Sequence, residues 1–444
     1  MTTLYRYIRK ISYFSSLSNR SLNNIFWLLL DRAVRMGMGL LVGVWVARYL
    51  GPKDFGSLNY VISVVGIVSI FSTLGLDGIL VNRILHFKKT EHTFKYEATI
   101  MGSAITLRVL GSFLSLLFVF IYFISTKSSE VGSSGDLSWV FFWISMSVFF
   151  QSFDTVKYFF EARVISKNTV IAFFAAFILS SACKVVFIYQ GYPVAYFAFT
   201  TFLESILSSV FVLSVYLLKK DEKPLFLFSK KEALSLLKES WPLAFSTLAV
   251  LLYMKIDSVM IGRWLGTREV GIYGAALKMS EVWYFLPSIF VSTFFPRLFE
   301  LFHTDINEFE RKFTHLLRAF FWGAFTISIL ISFSSSHLIH LLYGNDYSES
   351  ASILTIHIWT SIFVFWGVAS NQWFIVNGLN NFLFYRTAWG ALLNIVLNII
   401  LIPRVGAMGA AIATLISQSF VAFASDLLNH KTRPLFWLKI KAIL

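Results

Sequence analysis

The sequence predicts an all-α polytopic membrane protein with about 12 transmembrane helices in two six-helix bundles. Three observations support this prediction. Hydrophobic residues make up 57% of the 444 residues and charged residues only 14%, whereas a soluble domain carries roughly a quarter charged residues. Apolar runs of about 20 residues, which suffice to cross a bilayer, follow one another along the chain. A short turn sequence also occurs twice, almost half the chain length apart.

The repeated turn reads RYLGPKDFG at residues 48–56 and RWLGTREVG at residues 263–271. Arginine, leucine, both glycines, a base and an acid recur in the same order, and each copy lies between two apolar segments. Each copy is therefore expected to be a tight connection between two membrane helices, whose glycines supply positive φ or close approach. Two halves of six helices each predict parallel repeats, related by an axis along the membrane normal.

The predicted helices satisfy their backbone hydrogen bonds within each segment, as a bilayer core without water requires. They cover residues 22–47, 58–81, 98–124, 138–160, 169–189, 194–218, 240–263, 271–295, 316–336, 351–376, 382–402 and 406–428. The predicted domains are an amino-terminal tail (1–21), a first bundle (22–218), a linker (219–239), a second bundle (240–428) and a carboxyl-terminal tail (429–444).

The formal net charge of +14 is best explained by membrane topology. Most Lys and Arg residues fall in the two tails, the linker and alternate loops. The opposite set of loops holds only Arg48, Lys53, Lys127, Arg263, Arg268 and Arg404. This asymmetry predicts that both tails and the linker are cytoplasmic and that both repeated turns are on the outer side. No basic domain or nucleic-acid recognition motif is present, so nucleic acid is not a predicted partner.

The sequence contains no motif for catalysis or for binding a cofactor. It has no phosphate-binding loop and no H-E-x-x-H or cysteine-rich metal motif. Its single cysteine, Cys183, cannot form an intrachain disulfide. The longest polar loops are too short for a catalytic domain. We therefore expect a transporter, and neither an enzyme nor a protein with a cofactor or a metal centre.

Several segments resemble bacterial polysaccharide flippases of the Wzx type, which belong to the polysaccharide biosynthesis protein family of the multidrug/oligosaccharidyl-lipid/polysaccharide exporter superfamily. The resemblance covers most of the chain and rests on the order of its motifs. They are Arg48-x-Leu50-Gly51-Pro52-x-x-x-Gly56, Leu74–Gly78, Ser240–Leu243, Tyr253–Gly262, Ser280–Pro287, Asn371–Trp373, Asn377–Leu379, Leu393–Ile395 and Gly409–Ala411.

The resemblance implies a MATE/MurJ-like fold, with two bundles around a central cavity. It also implies movement of undecaprenyl-diphosphate-linked oligosaccharide repeat units, of O-antigen (lipopolysaccharide) or a related surface polysaccharide. These would pass from the inner to the outer leaflet of the bacterial inner membrane by alternating access, with ion or proton coupling as an option. The implied partners are this lipid-linked oligosaccharide and membrane lipid. A polysaccharide polymerase and a chain-length regulator are further candidates.

Ionisable residues at membrane depth are costly and usually face a bundle interior or an aqueous cavity. A cavity rich in cations would suit a diphosphate, because Arg binds phosphate through a planar fork and Lys as a point charge. The candidate substrate-binding residues are Arg32, Arg35, Arg108, Lys184 and Lys255. The alternative interpretation is that these cations pair with acids across helices and hold the bundle together.

The acids at membrane depth allow two interpretations as well. Asp77 and Asp257 are candidates for ion or proton coupling, and a salt bridge between helices is the alternative. Asp31 and Arg35 are four residues apart and can pair on one helical face, as can Lys278 and Glu281, which are three apart. Pro287 is expected to kink its helix, so it joins Asp31, Lys278 and Glu281 as a candidate for gating or pairing.

Three other functions remain as alternatives. An exporter of drugs or organic cations would need a cavity richer in acids than in bases. A membrane polysaccharide polymerase would need a large outer loop with catalytic groups. A flippase for the peptidoglycan precursor would share the fold and the charge pattern, although the motifs resemble the surface-polysaccharide group more closely.

Overall fold

The computed structural model describes residues 19–86, 93–126, 135–218 and 226–444. Helices account for nearly all of these residues, and no strand occurs in these ranges. The helices, numbered α1 to α17, are Asn19–Val68, Ile70–Thr73, Asp77–His86, Thr93–Thr126, Gly135–Gln151, Val156–Ala162, Lys167–Gln190, Val194–Leu217, Lys230–Leu265, Thr267–Glu281, Phe285–Thr304, Ile306–Tyr343, Ser350–His357, Thr360–Val376, Asn380–Val405, Ala407–Ala422 and Arg433–Ile443. Short 3-10 turns follow α5, α10, α12 and α16.

Nine segments in the described ranges are long and apolar enough to cross a membrane. The first of them, Val34–Leu85, holds the end of the predicted crossing at 22–47 and the whole of the one at 58–81, on either side of a bend at Gly51. The predicted crossings at 138–160 and 271–295 coincide with helices interrupted by 3-10 turns, which shorten the continuous helix. The predicted class, an all-α polytopic membrane protein, is confirmed.

The structure differs from several predicted helix ends, and two of the differences concern the predicted linker and the predicted carboxyl-terminal tail. Helix α9 begins at Lys230, well before the predicted start at residue 240, so Pro242 lies inside the helix and not in its first turn. The carboxyl-terminal stretch predicted as a tail contains α17, with Pro434 near its start, where its missing N–H costs nothing. The predicted tail at 1–21 lies almost wholly outside the described residues.

The chain separates into two compact units. The first unit combines the chain up to Val42 with Val68–Thr247, and the second combines Gly43–Ile67 with Leu248–Leu444. The predicted division at the 219–239 linker stays a prediction. In the first unit, Phe159, Phe160 and Tyr216 centre one buried apolar cluster.

The amino-terminal part of α9 is fixed to α3 inside the first unit. Arg83 on α3 donates hydrogen bonds to Glu239, with its Nε 2.9 Å from that carboxylate, and its Nη1 lies 3.1 Å from Glu232. The same guanidinium donates to Ser235. These three partners occupy most of the N–H donors of Arg83, so this ion pair has a structural role.

Both repeated turns lie in the second unit, and they adopt the same backbone conformation. Gly51 has φ 71° and ψ 172°, and Gly266 has φ 90° and ψ 173°. Residues with a side chain rarely adopt these angles. The second glycine of each copy contacts the backbone of the other copy. A Cβ on Gly56 would overlap the carbonyl of Thr267, and a Cβ on Gly271 would overlap the carbonyl of Pro52. The two copies are therefore packed backbone against backbone.

This close contact predicts that adding one methyl group at Gly56 lowers the stability of the fold substantially. Gly56→Ala should lower the stability of the folded protein by about 3 kcal/mol, because the added Cβ meets backbone that has no room to move. Thermal unfolding of the purified protein measures the change. Gly37→Ala is the matched control, since a Cβ there meets nothing within 4 Å. Equal melting temperatures for the two variants would show that the turns do not need this close approach.

The carboxyl-terminal helix α17 is anchored by a buried lysine. Lys439 is fully buried, and its ammonium donates to the carbonyl of Ala422 at 2.5 Å and to the Asp426 carboxylate at 2.6 Å. Burial lowers the pKa of Lys439 from 10.5 to about 8, against the opposing attraction of Asp426. Arg318 on α12 also donates to the carbonyls of Lys441 and Ala442 at the end of α17.

Candidate functional site

A buried arginine lies at the centre of a polar cluster in the first unit. Arg108 on α4 places its Nη1 3.6 Å from the Asp77 carboxylate on α3 and donates a hydrogen bond to Thr155 at 3.2 Å. The Arg108 side chain is only 6% exposed, whereas that of Asp77 is 54% exposed. The Nε of Arg108 has no hydrogen-bond partner among the described residues. Arg108 therefore has spare donor capacity, and the Asp77 carboxylate with which it forms an ion pair is accessible.

Further charged groups surround this pair. Asp154 follows α5 in the 3-10 turn and has Lys157, Arg108 and Arg35 as its charged neighbours. One oxygen of Asp154 is buried without a hydrogen bond from the described residues. Acids and bases are thus closely matched in number around Arg108.

The other predicted cations of the first unit are placed differently. Lys184 on α7 lies 3.7 Å from Glu204 on α8, so it forms a pair between helices. Arg35 lies over the ring of Phe173, with its guanidinium carbon 5.7 Å from the ring centre. The side chains of Asp31 and Arg32 lie outside the described part of the structure.

A second polar cluster, buried in the second unit, surrounds Asp257 on α9. One oxygen of its carboxylate accepts hydrogen bonds from Tyr273 at 2.8 Å and Thr414 at 2.6 Å, and the other accepts from Asn398 at 2.6 Å. Asn398 also donates to Asn394 at 3.0 Å. No base is among these hydrogen-bond partners, so only neutral groups hold the buried carboxylate in place.

The chemistry of this cluster suits a proton or a small hard cation. Asn398 uses its amide nitrogen for both hydrogen bonds, and its oxygen is buried with no partner in the described structure. Carboxylate, amide and hydroxyl oxygens are the ligands that hard cations prefer. A buried carboxylate without a paired base is costly until a proton or cation neutralises it.

The sequence indicated Asp257 as a candidate coupling residue, but it did not connect Asp257 with Asn394 and Asn398. Thr414 and Tyr273 were missed. The two asparagines are four residues apart and so share one face of α15, which is the one signal that could have indicated the cluster.

The remaining predicted residues of the second unit lie near one another. Glu281 at the end of α10 has Lys255 and Lys278 as cationic neighbours. The Lys278 ammonium also lies 4.7 Å from the ring centre of Phe55. The helix is interrupted by a 3-10 turn at Val282–Tyr284, just before Pro287. This position fits the loss of a backbone donor and the clash with the preceding turn that proline imposes.

One buried cation in the second bundle was not expected. Arg386 on α15, which is not among the candidate residues from the sequence, is buried and donates a hydrogen bond to Asn371 at 2.6 Å. Its Nε and Nη1 have no partner among the residues described. The described residues hold no group of three or more His, Cys, Asp or Glu side chains that could bind a metal ion.

Among curated proteins, one relative is similar to this chain over part of its length. Over 180 aligned residues the chain is 29% identical to the probable flippase AglR of Haloferax volcanii. This alignment covers 38% of the present chain and 36% of AglR, so the chain matches little more than a third of that relative's length.

Solved structures share the fold at low sequence identity. The chain superposes on the lipid II flippase MurJ in an inward closed conformation with a TM-score of 0.72 and 15% identity, covering 94% of this chain and 91% of MurJ. An inward-facing MATE multidrug transporter gives a TM-score of 0.69 and 14% identity, with 94% and 99% coverage. The fold is thus MATE/MurJ-like. Residues 21–302 match the family described as "Polysaccharide biosynthesis protein", and the chain belongs to that family.

Proposed function

We propose that this protein is a flippase that moves undecaprenyl-diphosphate-linked oligosaccharide repeat units across the bacterial inner membrane. The family and the MurJ-like fold support this class of function. The glycan would be an O-antigen or a related surface polysaccharide, and both termini would be cytoplasmic. A polysaccharide polymerase and a chain-length regulator would act on the product after it reaches the outer leaflet.

The observation that carries the substrate assignment is the unequal exposure of the Arg108–Asp77 pair. A 3.6 Å separation is longer than a charge-assisted hydrogen bond, so the pair is loosely held. A diphosphate can displace the accessible Asp77 carboxylate and take both the Nη1 and the unpartnered Nε of Arg108. Binding then exchanges one anion for another and leaves no buried charge unpaired. Arg35 and Lys157 would add to the field that attracts the diphosphate.

Asp257 is proposed as the group that couples transport to an ion gradient. Its carboxylate is buried and accepts hydrogen bonds from Tyr273, Asn398 and Thr414, and no base is among its hydrogen-bond partners in the described ranges. Occupation by a proton or a monovalent cation would change the charge of this cluster by one unit. Such a change favours one conformation over another only as far as the ion binds the two conformations unequally.

The second candidate function is export of organic cations, as the MATE-like fold alone would permit. The buried Asp257 and the acids near Arg108 are the observations that favour it. The bases around Arg108 argue against export of organic cations, because Arg108 would repel a cationic substrate within its own cluster. The flippase is therefore the better-supported proposal.

The experiment is a measurement of lipid-linked glycan in cells that lack this protein. We expect complete repeat units to accumulate on the cytoplasmic leaflet and the surface polymer to be lost. Normal delivery to the outer leaflet would reject the flippase. In that case, unpolymerised units in the outer leaflet would indicate a polymerase, and an unchanged pool would indicate export of another substrate.

A further inference from the structure

A groove of about 700 Å³ runs between α11 and α12 in the second unit. These two helices form an antiparallel hairpin about Asp305: Phe302 contacts Phe309 at a ring distance of 5.2 Å, and Phe290 contacts Phe320 at 6.3 Å. Both pairs lie almost symmetrically about the turn. Residues at the same distance from Asp305 therefore lie at the same level along the hairpin.

The lining of the groove changes character along its length. Its end nearest Asp305 holds Arg297 from α11 and Lys312 and His315 from α12. The rest is apolar, ending near Ile327, and no acidic side chain from the described chain lines it. Lys312 is partly neutralised by Glu308 at 3.4 Å. Arg297 and His315 form no ion pair with any described residue. The groove thus has a cationic end and an apolar remainder.

The dimensions match a lipid of one leaflet. The apolar lining on α12 runs from Leu316 to Ile327, which is about 16 Å at 1.5 Å per residue. Half of a hydrocarbon core about 30 Å thick is about 15 Å. Gly323 forms a notch in the wall, since a Cβ there would meet nothing within 4 Å. An acyl chain can therefore lie against the helix backbone while the head group reaches the three bases.

We infer that this groove is a binding site for an anionic phospholipid, with the phosphate head group at Arg297, Lys312 and His315 and a tail beside Gly323. Basic pockets between transmembrane helices on the cytoplasmic side hold anionic head groups in this way. The charge distribution of the sequence predicts that the α11–α12 turn is cytoplasmic. The residues that line this groove belong to neither the Arg108 cluster nor the Asp257 cluster, and the proposal does not depend on the proposed function.

The test compares lipid retention by the purified full-length protein and its variants, by native mass spectrometry in phosphatidylglycerol and in phosphatidylcholine. The wild type should retain phosphatidylglycerol preferentially. The double variant R297Q/K312Q should bind it about 30-fold more weakly, which corresponds to about 1 kcal/mol for each lost charge. Gly323→Phe should exclude the acyl chain from the groove and lower the retention of phosphatidylglycerol. If that variant does not fold, Gly323→Leu takes its place in the experiment.

Two controls lie on the same helix. Arg311→Gln removes an exposed base that pairs with Glu308 but does not line the groove. Leu330→Phe adds a ring at an exposed position outside it. Both should retain phosphatidylglycerol like the wild type.

Three results would overturn the assignment. They are unchanged retention by R297Q/K312Q and the Gly323 variants, equal retention of phosphatidylcholine by the wild type, and full displacement of phosphatidylglycerol by an added polyprenyl phosphate. The last would make a polyprenyl lipid the occupant.

Discussion

Arg108→Gln is expected to lower the transport of lipid-linked oligosaccharide at least about 100-fold, because the loss of one buried charge-assisted contact costs several kcal/mol. The variant removes the positive charge that a diphosphate would bind and keeps a polar group of similar length. Initial rates in vesicles containing the purified protein measure the effect. Arg108→Lys should recover part of the rate, since it restores the charge without the planar fork.

The variant Asp77→Asn shows whether the Arg108–Asp77 pair serves substrate binding or the stability of the fold. If Asp77 only competes with the diphosphate, Asp77→Asn should keep the protein folded and bind substrate as tightly as the wild type or more tightly. If the pair is structural, Asp77→Asn and Arg108→Gln should destabilise the protein alike. Arg83→Gln is the matched control, because Arg83 is also an ion-paired arginine of the first unit, bound to Glu232 and Glu239. It should change stability and leave substrate affinity unaltered.

Asp257→Asn is expected to abolish the dependence of transport on a proton or sodium gradient. The variant has nearly the same shape and can keep hydrogen bonds to Tyr273 and Thr414, but it carries no charge for an ion to neutralise. Transport should be measured with imposed pH and sodium gradients, each varied alone. The gradient that accelerates the wild type identifies the ion.

Thr414→Val is the graded control for the same cluster. It removes one donor from the Asp257 carboxylate and keeps the charge. It should therefore shift the concentration of ion needed for half-maximal rate without removing the response. A gradient response in Asp257→Asn equal to that of the wild type would show that Asp257 is not the coupling group.

The fold could be predicted because its signals are local. Apolar length fixes each crossing, and the glycines of the repeated turns mark the connections; Gly51 and Gly266 have matching positive φ angles. The helix ends were less predictable. Lys230 begins a helix that runs through Pro242, because the packing of its first turns against α3, through Arg83, outweighs the local preference for a break.

The candidate site was only partly predictable because it depends on how helices rotate against one another. Arg108 has no acid within one turn of its own helix, and its partner Asp77 comes from a different helix. Thr414 likewise has no sequence feature that links it to Asp257. Lys439 is buried because its ammonium bonds to Asp426 and to a carbonyl of the preceding helix. Neither partner can be read from the charge pattern of the sequence, which predicted only a cytoplasmic tail for this stretch.

The most direct test of the flippase proposal is the sidedness of lipid-linked oligosaccharide in vesicles that contain only this protein. The glycan would be loaded into one leaflet and followed by its reaction with a membrane-impermeant oxidant. We expect the purified protein to expose the glycan to the oxidant much faster than empty vesicles do, and Arg108→Gln to give the rate of empty vesicles. A wild-type rate no faster than that of empty vesicles, under each ion gradient, would contradict the proposal.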